Sequence, residues 1–322
     1  MMRCYDPAGS RDLCGLEVHT TGDAMDIKEL INNGWARHDK ESAALASDLE
    51  AHASLPETPA HVAAFLQLAN HTIGGHLHDW PRACKLAEQV MHGREDAHEL
   101  ATPYSNLAVA QYMAGKVADA LASEAHAVRL TDMEKVSMMI RTRTMVASAL
   151  IDTRRLDEGA RLYDAALTLA RAQDEKLACD QALAVTSNNL ASELSAKETR
   201  TPEEDALMLK AAIASKEFWM KCGTWENEER GDYLLAIVHN RLNQPDKALE
   251  YAAAGLEVIA KHGEEVVDEA FINLAMARSF NLKDDRAGYD KAMARAQELA
   301  DDFNDDGLKT WFAETKAKVE WK

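Results

Sequence analysis

The sequence predicts an all-α protein: a right-handed α-α superhelix, or solenoid, of about six helical hairpins between atypical N- and C-terminal capping helices. Three observations carry that prediction. A small residue usually preceded by leucine recurs six times, at Leu68-Ala69, Leu107-Ala108, Ala147-Ser148, Leu190-Ala191, Leu235-Ala236 and Leu274-Ala275, and the small residues lie 39, 40, 43, 45 and 39 positions apart. In four of these units a second small residue follows twelve positions on, at Ala120, Ala160, Ala248 and Ala287. A further core position comes seven later, at Ala127, Leu167, Gly255 and Ala294. Helix axes approach most closely where both carry Ala, Ser or Gly, so this is the register of a hairpin. Hairpins repeated at this period hide their apolar faces only against their neighbours. Composition agrees: 47% apolar, 6% aromatic, and few Pro and Gly among 322 residues favour helix over sheet. One continuous solenoid accounts for this length better than two globules.

The elements follow in order. Residues 1–24 show no helical periodicity and no signal-peptide core, which suggests a disordered tail or a start of translation at Met25, directly before an N-cap at Asp26. A short capping hairpin, within 25–56, pairs 27–38 with 40–53. Ser54-Leu55-Pro56-Glu57-Thr58-Pro59 breaks it, and Thr58-Pro59 starts the next helix. The solenoid proper, 57–303, holds hairpins near 60–92, 98–130, 135–172, 178–221, 227–262 and 266–302. Polar or helix-breaking turns fall at Gly115-Lys116, Thr153-Arg154-Arg155, Asn243-Gln244-Pro245-Asp246 and Lys283-Asp284-Asp285. Two units carry insertions in the turn, one across Gly74–Pro81 and one across Lys197–Asp205. A last helix, 307–318 within 304–322, carries Trp311 and Phe312 and caps the end.

Net charge is −18, heaviest late in the chain. Such a surface repels phosphate backbones and anionic headgroups, so neither nucleic acid nor membrane is an expected partner. No apolar run is long enough to span a bilayer. Five scattered cysteines without a C-x-x-C pair read as reduced thiols of a cytoplasmic protein.

The stretch Tyr104-Ser-Asn-Leu-Ala-Val-Ala-Gln-Tyr-Met-Ala-Gly-Lys-Val-Ala-Asp-Ala120, continuing to Ala127, resembles the tetratricopeptide repeat: a bulky first position, a Leu-Ala pair, Gly at the turn and both later alanines. Asn240–Tyr251 matches the turn and second helix of such a unit. The resemblance covers about 60–302, and its period near 40 is similar to the long-helix branch seen in kinesin light chains and in sensor domains of some bacterial regulators. It implies a concave groove lined by the first helix of each pair and holding a peptide or partner.

With each small residue counted as eighth in its unit, the sixth position is Asn106, Asn189 and Asn273, and Asn70 falls at the ninth position of the first unit. The resemblance places these in the groove, where an amide offers both donor and acceptor to a peptide backbone. The alternative is that they bond to the adjacent helix or to water. Family members that grip an acidic carboxyl terminus use two asparagines with lysines and an arginine. Asn70 and Asn106 stand where the asparagines would, but Leu66, Thr142 and Val146 replace the cations, and Arg141 and Arg143 are out of register. A chaperone-tail clamp is not expected.

Seven of the twelve histidines fall between His52 and His98. His71, His76, His78 and Asp79 surround Gly74-Gly75, yet their spacing fits no metal motif, with His71 on a helix and the others in a turn. Among the aromatics, Trp219 reads as packing and Trp225 as an exposed turn residue. No phosphate loop, nucleophile elbow or H-E-x-x-H occurs. The expected function is a non-catalytic scaffold that holds a protein or peptide through Asn70, Asn106, Asn189 and Asn273, with no cofactor and no metal. A sensor module that binds a peptide or small molecule and regulates a partner is the alternative, and a metal-dependent enzyme is the least expected. Pairing of two copies through a terminal helix stays open.

Overall fold

A computed structural model of the chain describes residues 26–321, apart from Glu95 and Asp174. The expectation for residues 1–24 lies outside the described residues. Among those described, fifteen α-helices form, with one π-helical segment, one 3-10 turn and no strand. None of the helices is long and apolar enough to cross a membrane. They fall into two compact units, 26–179 and 180–321.

The first unit runs α1 (Ile27–Arg37), α2 (Ser42–Ala51), α3 (Pro59–Ala69), the π segment Asn70–His76, α4 (Trp80–Met91), α5 (Ala101–Met113), α6 (Val117–Leu130), α7 (Lys135–Asp152) and α8 (Leu156–Arg171). The second runs α9 (Asp180–Ala196), α10 (Pro202–Cys222), α11 (Trp225–Arg241), α12 (Pro245–His262), α13 (Val266–Leu282), α14 (Arg286–Ala300) and α15 (Asp306–Ala317). Consecutive helices pack as pairs, as in a helical repeat solenoid. Each first helix also packs on the next, in the series α1, α3, α5, α7 and again in α9, α11, α13, α15. Starts are set by side chains: Thr58, Asp79, Asp285 and Asp305 accept the N-terminal amide bonds that the helix cannot make for itself.

Four turns close by one device. Gly115, Arg154, Asn243 and Asp284 adopt left-handed φ values of 82°, 64°, 56° and 54°. The next residue's N–H then donates five positions back, Lys116 to Gln111, Arg155 to Leu150, Gln244 to His239 and Asp285 to Phe280, at 2.8–2.9 Å. This is the Schellman closure.

The turn also fixes which residues meet, small in all but one case. Seven positions before the left-handed residue stand Ala108, Ala147, Ala236 and Ala277; five after it stand Ala120, Gly159, Ala248 and Tyr289; twelve after it stand Ala127, Ala166, Gly255 and Ala296, all buried. The predicted register holds for two hairpins. It slips by one in the α7–α8 pair and by two in the α13–α14 pair, where Ala287 and Ala294 are exposed. Both first helices offer two small residues, and the turn selects between them. A Cβ on Gly159 would lie 2.8 Å from the Ala147 carbonyl oxygen, so α8 needs glycine there to approach α7.

Both insertions are taken up in part by helix. Thr201 and Glu204 form a reciprocal capping box at Pro202, so residues 202–205 of the 197–205 insertion become the first turn of the 21-residue α10. Gly74-Gly75-His76 continues α3 as π-helix, leaving only residues 77–79 as a turn. At the far end the predicted aromatic cap forms: Trp311 stacks on Phe271 at 4.0 Å, and Phe312 meets the same ring edge-on at 5.8 Å.

Candidate functional site

In the first unit a polar seam runs between first helices. Asn70, buried at the start of the π segment, donates to the Asn106 carbonyl on α5 at 2.8 Å. Asn106, fully buried, donates to the Ala63 carbonyl on α3 at 3.0 Å. Both amides therefore strap α3 and its extension to α5. The side-chain oxygen of Asn70 is buried and accepts no bond from the described residues.

Arg141 extends the seam from α7. Its guanidinium donates to Ser105 Oγ at 2.7 Å and to Asn106 Oδ1 at 3.2 Å. Thr142 donates to the Met138 carbonyl, so the Ser105 hydroxyl donates to Thr142 Oγ1 at 2.7 Å and keeps its oxygen for Arg141. No carboxylate of the described residues lies within ion-pair distance of this guanidinium. Burial pushes its pKa down to about 10, which leaves it charged at neutral pH. Arg141 is out of the clamp register by one residue, yet its side chain reaches Asn106 on the neighbouring helix; Arg143 instead pairs with Glu124.

The other two asparagines lie in the second unit. Asn189, half-buried on α9, accepts from Asn188 at 3.4 Å, and its own amide nitrogen donates to no described residue. Asn273, buried on α13, donates to the Glu269 carbonyl of its own helix at 2.9 Å. The corrected register puts Asn273 four positions, not two, before its small residue, so it is not the equivalent of Asn106. The amides that strap this unit are Asn240 and Asn281, each three residues before a left-handed turn residue, donating to the Ala275 and Glu320 carbonyls at 2.8 and 2.7 Å.

Buried charge in the second unit is mostly acidic. Glu229 on α11 is fully buried beside Asp268 of α13. Arg230 lies 3.4 Å from Glu229, 2.8 Å from Asp268 and 3.6 Å from Glu265. Burial, reinforced by the Asp268 carboxylate, holds the Glu229 pKa far above the ordinary glutamate range. Asp232, 1% exposed, pairs with Lys216 of α10, and burial still raises its pKa. Trp219 is buried as expected. Trp225 opens α11, half-buried and stacked on His262 at 5.6 Å.

Of the histidines, the structure brings together His38, His71 and His76, all offering ring nitrogens within 4.8 Å of one another. His78 and Asp79, which flank Gly74-Gly75 in sequence with the other two, are not part of this cluster; Asp79 caps α4. His76 is helical, not in a turn. Burial, then the neighbouring His76 and His38, lower the His71 pKa to about 4.

No protein-family model and no curated protein matches the chain. Among solved structures, BtubC (BKLC) from P. vanneervenii is similar at a TM-score of 0.44 and 14% identity, over 81% of this chain and 94% of that one. Likeness at that level carries no functional argument.

Proposed function

We propose that this chain is a non-catalytic binding module of the tetratricopeptide type, a right-handed superhelix whose first-helix face holds an extended segment of a protein partner. The observation that carries the reading is Arg141. A shielded guanidinium without a counter-ion among the described residues, held in place by Ser105 and Asn106, is prepared for a carboxylate, because charge-assisted bonds gain strength where water is excluded. In the second unit, Asn189, whose amide nitrogen donates to no described residue, offers a donor to a backbone carbonyl. Net charge of −18 steers basic partners at long range, while Arg141 takes one acidic anchor at contact. A cytoplasmic location, and protein rather than nucleic acid or membrane as partner, follow from the same charge balance and thiol chemistry.

Peptide display on the full chain tests this. The enriched peptide is titrated against wild type, Arg141→Gln and Asn189→Ala. Binding should weaken at least tenfold in Arg141→Gln and be lost when the peptide's acidic anchor is replaced by its amide. Equal affinity of wild type and Arg141→Gln, or no enrichment at all, overturns the reading.

A further inference from the structure

The histidine cluster goes beyond this reading, because none of its rings belongs to the seam, although His71 directly follows Asn70, and it gathers three separate ligands at one point. His38 stands at the C-terminal end of α1, while His71 and His76 lie on the π segment. In an α-helix, residues five apart point about 140° away from each other, given 100° per residue. A π-helix bonds i to i+5, as Leu77 does to Thr72 here at 3.1 Å, and so sets residues five apart one above the other. The irregular winding is what brings the two rings together, with His71 Nε2 and His76 Nε2 3.2 Å apart. A Cβ on Gly74 would meet the Trp80 ring at 2.6 Å, so glycine lets the indole seat against the π turn.

The third ring is oriented by its neighbour. His38 Nδ1 lies 2.7 Å from the Trp35 carbonyl oxygen. A carbonyl can only accept, so Nδ1 carries a hydrogen, and in the neutral ring Nε2 presents a lone pair. A backbone carbonyl bonded to the far ring nitrogen is the usual support of a metal-binding imidazole. The Trp35 ring walls the cluster, 5.2 Å from His71 and 5.5 Å from His38.

We propose that His38, His71 and His76 form a binding site for a late first-row divalent cation, zinc above all, with a fourth position open to water or an external ligand. Neutral imidazoles suit zinc, nickel and copper rather than magnesium or calcium. Zinc–nitrogen bonds of about 2.0–2.1 Å in a tetrahedron place ligand nitrogens about 3.3 Å apart. The His71–His76 separation already has that value, and His38 closes the site by a shift of about 1.5 Å or less from the 4.8 Å limit. His76 is exposed, which gives the ion a way in. A bound cation would pin the capping helix α1 to the end of α3.

The test is isothermal titration of zinc chloride into the full chain, made without a polyhistidine tag and stripped of metal, at pH 7.5. Wild type should bind one zinc per chain, and cobalt should give the visible bands of a low-coordinate site. His76→Ala, exposed and expected to fold as wild type by circular dichroism, should bind at least tenfold more weakly and lose the cobalt bands, as should His38→Gln. His61→Ala, outside the cluster, should bind as wild type. Zinc should raise the melting temperature of wild type and not of His76→Ala. No saturable binding by wild type, or the same stoichiometry and affinity in His76→Ala, overturns the proposal.

Discussion

The two units bury charge in opposite senses. In residues 26–179 the seam between first helices holds a cation, Arg141, surrounded by neutral hydroxyl and amide groups. In residues 180–321 the corresponding helices bury carboxylates, Glu229 and Asp232, with cations reaching in from more exposed positions. Helix pairing and Schellman turns are shared, so backbone architecture leaves the seam free to take either sign. A charge already neutralised inside the fold contributes to stability or register. A charge left without a partner has capacity for something outside the chain. By that measure the first unit is the one prepared to bind an acidic group.

The largest expected effect breaks the comparison by removing a cation from each unit. Lys216→Met leaves Asp232 buried without its partner and should cost about 3–5 kcal/mol at neutral pH in urea unfolding. The loss should shrink in mild acid, since burial already raises the Asp232 pKa and protonation removes the orphaned charge. Arg141→Met deletes two charge-assisted hydrogen bonds worth about 1.5–3 kcal/mol each but also a desolvated charge with no counter-ion among the described residues, and the two largely offset, so the change should stay well below that of Lys216→Met. Equal destabilisation by both would mean that Arg141 is structural, and the binding argument would fall with it.

A smaller effect sharpens the acidic side. The folded chain holds a proton on Glu229 that the unfolded chain releases once pH passes the ordinary glutamate range. Its stabilising share is therefore present in acid and is lost as pH rises, with a slope of at most about 1.4 kcal/mol per pH unit. Glu229→Gln keeps the shape without the titration. Melting temperatures at pH 5 and pH 8 should differ less in this variant than in wild type, and an unchanged difference would place the titration elsewhere.

Much of the backbone was legible because it is written locally. Thr58-Pro59, the Gly115-Lys116 turn and the Trp311-Phe312 cap each announce themselves within a few residues, and helix boundaries follow. Register was legible in the α5–α6 and α11–α12 pairs and slipped in the other two, where the choice between neighbouring small residues fell on the wrong one. Ala147-Ser148 and Leu274-Ala275-Met276-Ala277 offer two, and the turn geometry that decides between them is not visible in a count from leucine. That slip made Asn273 look like the equivalent of Asn106 and hid Asn240, the true inter-helix strap. Arg141 and His38 were missed for a different reason: each acts across elements more than thirty residues apart in sequence. The His71–His76 pair was hidden because a helical reading assumes the α period, and only the π segment puts those rings on one side.

The smallest effect concerns the four turns, where the backbone is the same and the residue is not. Left-handed φ costs an ordinary L-residue about 1–2 kcal/mol, less for Asn and Asp, and little for glycine. Gly115 meets this cost with the suitable residue, whereas Arg154, Asn243 and Asp284 do not. Arg154 and Asp284 are exposed, so replacing either removes strain and little else. Arg154→Gly should stabilise by roughly 0.5–1 kcal/mol after the greater chain entropy of unfolded glycine is subtracted, Asp284→Gly by less, and Asn243→Gly least. Gly115→Ala, with open space around its Cβ, should lose about 1 kcal/mol from φ alone. Urea unfolding of the four variants reads the ranking. Because turn strain is independent of seam charge, it should come out in this order across both units, and an order that followed unit rather than residue would show that the two halves differ in backbone as well as in charge.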